Sequence, residues 1–304
     1  MVSRIMIEIP NFLKEKLLSY YNEEEVNKII QGYEEKKYVT LRINIVKSNK
    51  LEVTKILKEE NIEYDEVSWY EDAIIIKNVS EDKIRTFSIY EDGKIYLQSL
   101  SSMMPPLVLN PGRESILDMA AAPGGKTTQI YNLSNGEALI TACEKNKIRG
   151  DRLKYNLTKQ GATRVNVLNK DARELDDFLS FDKILLDAPC SGSGTINLNN
   201  ENTIKYFNND LVARSTKVQK ELLSKAIDLL KKDHEMVYST CSILREENEE
   251  ILENFIKTNK IEIVPINKEL FDGITLLPTT IEGTICVMPS KLYEGFFIAK
   301  IRKK

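Results

Sequence analysis

Two cysteines, Cys190 and Cys241, each follow an apolar run and each stand among small hydroxyl residues, in DKILLDAPCSGSGT at 182–195 and MVYSTCSILREENEEI at 236–251. A strand that delivers a thiol into a Ser/Gly-rich turn puts it where α/β sheets carry their chemistry. One such cysteine reads by default as a small core hydrophobe. Two of them, each at the end of a strand of the same sheet, fit that explanation poorly. The single histidine, His234, lies among Lys231, Lys232, Asp233 and Glu235 and reads as a solvated turn, which disfavours a Cys/His or Ser/His/Asp pair. Any nucleophile must be activated another way.

A third string, DMAAAPGGKTTQI at 118–130, follows the strand-like run ESIL. Its small residues let the backbone approach a ligand closely, and Gly124 and Gly125 open a helix whose first amides can face a polar group. A P-loop would need Gly where Ala120 stands, and a dinucleotide fingerprint would need spaced glycines where there are two adjacent ones. What remains is a loop of the S-adenosylmethionine type. Glu144, at the end of GEALITAC, is placed to hold the ribose, and Asp171, after RVNVLNK, the adenine amino group. Either acid alone reads as a loop cap; as an ordered set after successive strands they are more persuasive.

Two thiols, an acid and a methyl donor suit one reaction. Carbon 5 of a pyrimidine is a poor nucleophile, so a thiolate must first add to carbon 6 and convert the ring to an enamine. An acid at the ring nitrogen steadies the developing charge; Asp187 is the candidate, with burial expected to favour its protonated form. The carbon-5 proton must then leave so that the enzyme thiol is expelled, and Cys190 is the candidate for assisting. Lys126 or the sulfonium itself is the candidate for depressing the nucleophile's pKa.

The elements that must position these residues are legible in outline. The 304 residues suggest about two domains. With 42% hydrophobic and 29% charged residues the chain is a globular one that folds. No apolar run approaches the ~18 residues of a membrane span, and Pro10 and charges stand where a signal peptide needs an apolar core. The expected location is therefore cytoplasmic, with no membrane partner. Cys143, Cys190, Cys241 and Cys286 are too widely spaced for a structural zinc site, so no metal is expected and free thiols are the default.

Residues 1–100 read as a small α+β unit, helical over 11–31 with strand-like runs at 39–46, 73–79 and 94–98. Prolines and Gly112 in SSMMPPLVLNPGR at 101–113 read as turns that mark the boundary. From 115, strand-like and amphipathic runs alternate, with helices from about 126, from about 146 and over 211–232. This pattern predicts an α/β fold with a doubly wound, mostly parallel sheet, closed by an antiparallel hairpin of GTICVMP and GFFIAKIRKK. Net charge is −3 overall and −4 over residues 1–110, which disfavours a generic polyanion binder. The stretch 145–170 nevertheless holds eight basic residues against Asp151, a run that reads first as a solvated helix face.

The strings DMAAAPGGKTT, LLDAPCSGSG and VYSTCSILREENEE, in this order, resemble the Sun/Nop (RsmB/RsmF-like) family of RNA cytosine-carbon-5 methyltransferases. LRIN at 41–44, QSLSSMMPPLVLNP at 98–111, the 144–161 stretch and EGFFIAKIRK at 294–303 extend the resemblance over nearly the whole chain. It implies a Rossmann-like class I methyltransferase domain at 101–304 behind an RNA-binding domain at 1–100. It implies S-adenosyl-L-methionine as cofactor and structured RNA, ribosomal or transfer, as partner of a monomer. Cys241 corresponds to the family's nucleophile and Cys190 to the residue assisting release. Asp187 and Lys126 complete the catalytic set, and the donor contacts fall on Ala120, Ala121, Ala122, Pro123, Gly124, Gly125, Lys126, Glu144, Asp171 and Asp187. The chain departs from the pattern at Cys286 and Lys159, where relatives carry Arg, and it stops at GFFIAKIRKK, without the C-terminal RNA-binding module of some relatives. Substrate grip is then expected from a basic stripe of Arg42, Lys126, Lys205, Arg214, Lys217 and Lys220, with the target cytosine unpaired. Two rival readings remain: a methyltransferase acting on protein or a small molecule, which would not need both cysteines, and a non-catalytic RNA-binding or ribosome-assembly factor that retains the fold.

Overall fold

The computed structural model describes residues 8–304; residues 1–7 of the expected N-terminal unit lie outside the described residues. The helical pattern over 11–31 divides into α1 (Asn11–Tyr20) and α2 (Glu23–Glu34). The division falls at Asn22, whose side chain accepts from the Glu25 amide at 2.9 Å while Glu25 accepts from the Asn22 amide at 3.0 Å. This reciprocal cap starts a new helix. A four-stranded sheet follows in the order β2-β3-β1-β4, from β1 (Val39–Ile43), β2 (Tyr64–Glu66), β3 (Ala73–Ile76) and β4 (Ile95–Leu97). Helices α3 (Lys50–Glu59), α4 (Glu81–Arg85) and α5 (Ser88–Glu91) cover it, sharing a core of Leu41, Val53, Leu57, Ile74, Ile84 and Ile95.

The stretch expected as Pro-containing turns is instead a helix, α6 (Leu100–Leu109), with Pro105 and Pro106 inside it. Proline at 106 deprives the Ser102 carbonyl of its helical partner, and the Gln98 amide fills the vacancy, donating to that carbonyl at 3.1 Å. Ser99 caps the start, Asn110 ends it in the left-handed conformation, and Leu100, Met103, Met104, Val108 and Leu109 are buried. Burial of nearly every side chain outweighs the proline penalty here.

The large sheet runs β11-β12-β13-β9-β8-β5-β6-β7. Its parallel strands are β5 (Ser115–Asp118), β6 (Leu139–Cys143), β7 (Val165–Leu168), β8 (Phe181–Asp187) and β9 (Leu230–Thr240). The expected closing hairpin is β12 (Ile285–Val287) with β13 (Phe296–Lys303), and β13 lies antiparallel to β9. Two edge strands join it that the sequence pattern does not single out, β10 (Ile261–Val264) on β13 and β11 (Leu276–Leu277) on β12. Side chains alternate between two cores. Ile116, Leu185, Val237 and Ile298 face α6, α7 (Gly125–Leu133) and α8 (Lys147–Gln160). Leu117, Leu186, Tyr238 and Phe297 face α9 (Asn209–Leu229), α10 (Glu249–Lys257) and Leu13, Leu17, Ile29 and Tyr33 of α1 and α2. Helices on both faces make the sheet doubly wound, and they leave the carboxyl ends of β5 to β9 as the open edge. No helix among the described residues is long and apolar enough to cross a membrane.

Candidate active site

Strand β5 ends at Asp118, and the chain turns through Ala120–Gly124 into α7. Gly124 has φ +108, and a Cβ there would come within 3.0 Å of Leu153 Cδ1, so this turn needs glycine on both counts. Helix α8 anchors the loop: Arg149 donates to the Ala122 carbonyl at 2.8 Å and Asn156 to the Pro123 carbonyl at 2.7 Å. Thr127 donates to Asp118 Oδ2 at 2.7 Å, tying the strand end to the first turn of α7. Asp118 is a site residue that the string by itself does not single out. The signal is its place at a strand end in line with Glu144 and Asp171. Burial pushes its carboxyl up to about 6, against the opposing Thr127 hydrogen bond.

A cleft of about 500 Å³ opens at this edge, and Asp118, Ala120, Ala121, Ala122, Pro123, Gly125, Lys126, Asp187 and Cys241 all line it. Gly124, Glu144, Asp171 and Cys190 do not. Glu144 is buried one strand along, accepting from the Asn146 amide at 2.9 Å with Arg149 at 3.5 Å. Asp171 gives both carboxylate oxygens to Arg173, at 3.0 and 2.6 Å.

Register does the rest of the placing. Parallel pairing sets Asp187 of β8 opposite Ser239 of β9, so the two cysteine loops leave the sheet side by side. The Cys190 and Cys241 sulfurs are 2.8 Å apart. Asp187 accepts from Ser239 Oγ at 2.8 Å and from Lys126 Nζ at 2.7 Å, and Lys126 also donates to Ser102 Oγ at 2.8 Å. All four residues singled out as catalytic therefore meet. Gly194 closes the arrangement: its amide donates to the Cys241 carbonyl at 3.0 Å, and a Cβ on it would lie 1.9 Å from the Gly295 carbonyl oxygen. Only glycine lets the 190–195 turn rest on the chain entering β13.

The protonation pattern is asymmetric. The hydrogen bond to Cys241, then burial, raises Cys190 well above the ordinary thiol range. The two sulfurs share one hydrogen bond, in which either can be the donor. Burial alone would lower the pKa of Lys126, but attraction to Asp187 and the hydrogen bond to it reverse this, and the Lys126 pKa is raised. The Lys126 ammonium and the Ser239 hydroxyl both donate to Asp187, one to each carboxylate oxygen.

The expected basic stripe does not form. Arg42 is fully buried, donating to Gln98 at 3.0 Å and Thr128 Oγ1 at 2.8 Å, and so bolts the small sheet to α7. Lys126 is neutralised by Asp187, and Lys217 and Lys220 face a separate groove with Lys16 and Glu246. Of the two departures from the family pattern, Cys286 is buried in β12 and Lys159 lies 3.8 Å from the Tyr90 ring centre. No cluster of His, Cys, Asp or Glu able to hold a metal ion occurs among the described residues.

A buried carboxylate that the sequence pattern does not reveal joins the two cysteine loops. Glu247 accepts from the Ser191 amide at 2.7 Å, Ser191 Oγ at 2.6 Å, Ser242 Oγ at 2.5 Å and Gln219 at 3.3 Å. Burial raises its pKa against these hydrogen bonds. In REENEE it reads as one of several solvated acids; only its nearness to the Ser-flanked cysteine hints otherwise. Replacing Glu247 by Ala removes the acceptor of all four donors, of which Gln219 retains the Pro189 carbonyl, and is expected to cost about 3 kcal/mol of stability in urea unfolding, with Glu247→Gln costing less.

Residues 106–302 match the family model described as 16S rRNA methyltransferase RsmB/F, and residues 9–81 match the RsmF/B-like ferredoxin-like domain. The ribosomal RNA small subunit methyltransferase F of Shewanella sp. (strain ANA-3) is 33% identical over 273 residues, covering 87% of this chain and 56% of the relative. The chain thus spans little more than half the length of that relative. A methyltransferase homolog protein from Pyrococcus horikoshii superposes with TM-score 0.78 at 28% identity, covering 97% of this chain and 100% of that one. NSun6 from Pyrococcus horikoshii, solved with SFG, superposes with TM-score 0.86 at 23% identity over 97% and 98% of the two chains, a likeness of fold.

Proposed function

We propose, on the premise that this chain belongs to the RsmB/F family of rRNA methyltransferases, that it transfers a methyl group from S-adenosylmethionine to carbon 5 of a cytosine in ribosomal RNA, in the cytoplasm. The observation that carries this reading is the Cys190–Cys241 pair, 2.8 Å apart at the edge of a cleft that also holds Lys126 and Asp187. A methyltransferase acting on protein or a small molecule has no use for two apposed thiols.

The cleft suits the cofactor. Ala120, Ala121 and Ala122 leave the loop backbone open to close approach, the first amides of α7 have no helical partner, and the Asp118 carboxyl lies beside them. When bound there, S-adenosylmethionine supplies an electrophilic methyl group on a cationic sulfur. The protein does the remainder. Cys241 adds to carbon 6 of the cytosine and makes carbon 5 nucleophilic. Lys126 and Asp187, paired on the cleft wall, are the polar groups available to the ring nitrogen and carbonyl. Cys190 holds a proton beside the attacking sulfur.

The test is incubation with tritiated S-adenosylmethionine and separate pools of unmodified transfer RNA, naked ribosomal RNA and ribosomal subunits, followed by nucleoside analysis. Tritium is expected as 5-methylcytosine in small-subunit ribosomal RNA, free or assembled. Label confined to transfer RNA would move the substrate, and label in no pool would overturn the catalytic reading.

A further inference from the structure

The cleft does not end at its own walls. On one side Arg85, Tyr96 and Pro123 are shared with a groove of about 460 Å³ between β4 and α8, which Tyr90, Arg152, Tyr155 and Lys159 also line. On the other, Lys37 and Tyr38 are shared with a groove of about 690 Å³ that Lys36, Lys77 and Lys291 also line. The cysteine-bearing cleft is the middle of a longer trough.

The first arm interleaves cations with aromatic rings, and the second clusters cations around one, Tyr38. In the first, Arg152 and Tyr155 are exposed on one face of α8, Tyr155 at 61%, and Lys159 a turn further on lies over Tyr90. In the second, Tyr38 has Lys77 at 4.7 Å and Lys291 at 4.3 Å from its ring centre. Some of these charges are spoken for: Arg85 pairs with Glu81, Lys159 with Glu91 and Lys77 with Asp65. Arg152, Lys36 and Lys291 have no ion-pair partner among the described residues. A net −4 over residues 1–110 is compatible with this, because net charge does not describe a face. From that part Lys36, Lys37, Lys77 and Arg85 line the trough together with one acid, Glu81, while Glu23, Glu24, Glu59 and Glu60 are exposed on or beside helices α2 and α3.

We propose that the two arms form one track for single-stranded RNA, which carries the nucleotides on either side of the target cytosine across the cleft. This rests on the reading of the cleft given above. A cytosine reaching Cys241 must be out of its stack, so its neighbours are unpaired too. Unpaired strands are held by phosphates on cations and bases on exposed rings; the first arm offers both, with Tyr155 as its exposed ring, and the second offers cations around Tyr38.

The experiment is fluorescence anisotropy of an unstructured, cytosine-containing RNA oligonucleotide across a range of salt concentrations. It uses the wild-type chain, one variant per arm (Arg152→Glu with Tyr155→Ala; Lys36→Glu with Lys291→Glu), and Lys217→Glu with Lys220→Glu as a control outside the track. Each arm variant should bind at least ~10-fold more weakly, with a salt slope shallower by about 0.7 for each phosphate that is no longer neutralised. S-adenosylmethionine binding and thermal melting should be unchanged. Wild-type affinity in both arm variants, an equal loss in the control, or displacement of the RNA by polyglutamate at equal charge would overturn the track. Wild-type chain that forms 5-methylcytosine while the arm variants bind normally leaves the reaction standing without the track. Arm-dependent binding without any 5-methylcytosine supports the track and removes the reaction.

Discussion

Replacing Cys241 by Ser is expected to abolish covalent attack and methylation together. The exchange is close to isosteric, and Cys241 sits at the end of a strand held on both sides by β8 and β13, so the fold should survive it. Reactivity should not. A serine hydroxyl at neutral pH is a far weaker nucleophile than a thiolate, and no histidine stands nearby to activate it, because His234 is exposed beside Lys231 and Asp182 on β9's first residues, well before the strand reaches Cys241. The surroundings suit sulfur: Cys190 Sγ lies 2.8 Å from it and the charged Lys126 is close enough to interact with it. The loss should be on the order of 10³-fold or more, equivalent to at least about 4 kcal/mol of barrier. Tritium incorporation measures the rate, and a denaturing gel measures the RNA–protein adduct. Methylation that persists in Cys241→Ser would transfer the nucleophile's role to Cys190.

That Cys190 and Cys241 belong together is readable because β-strand periodicity is a strong signal and both thiols close apolar strands. Parallel register then brings strand ends to one edge with little further information. What the sequence conceals depends on partners distant along the chain. Arg42 reads as a surface cation until Gln98 and Thr128 are seen to enclose it. Asp187 reads as a buried acid until Lys126, 61 residues away, is found donating to it. Glu247 reads as one of a run of solvated acids, although Ser191 and Ser242 converge on it from two loops. The helix α6 is hidden for a different reason: local proline signals are outweighed by burial and by one side chain, Gln98, replacing a missing backbone donor. Strands β10 and β11 are short edge strands, where pattern is weakest.

In Cys190→Ala, attack should proceed while release fails, so that a denaturation-resistant RNA–protein adduct accumulates. The geometry explains why Cys190 is suited to the second half of the reaction and not the first. In the resting pair the hydrogen bond to Cys241 is the largest influence holding Cys190 protonated, with Coulomb repulsion from the same sulfur adding to it. Once Cys241 is bonded to carbon 6 it is a thioether, a weak acceptor without charge, and both influences disappear. The Cys190 pKa then falls, its thiol proton passes to water, and the resulting thiolate takes the proton from carbon 5 as the Cys241–carbon bond breaks. The contact thus links the release step to the attack step. Removing its thiol should slow turnover by about 10²- to 10⁴-fold, with adduct on a denaturing gel rising in proportion as product falls. Loss of activity without adduct would instead place Cys190 in the attack step, as the group that prepares Cys241.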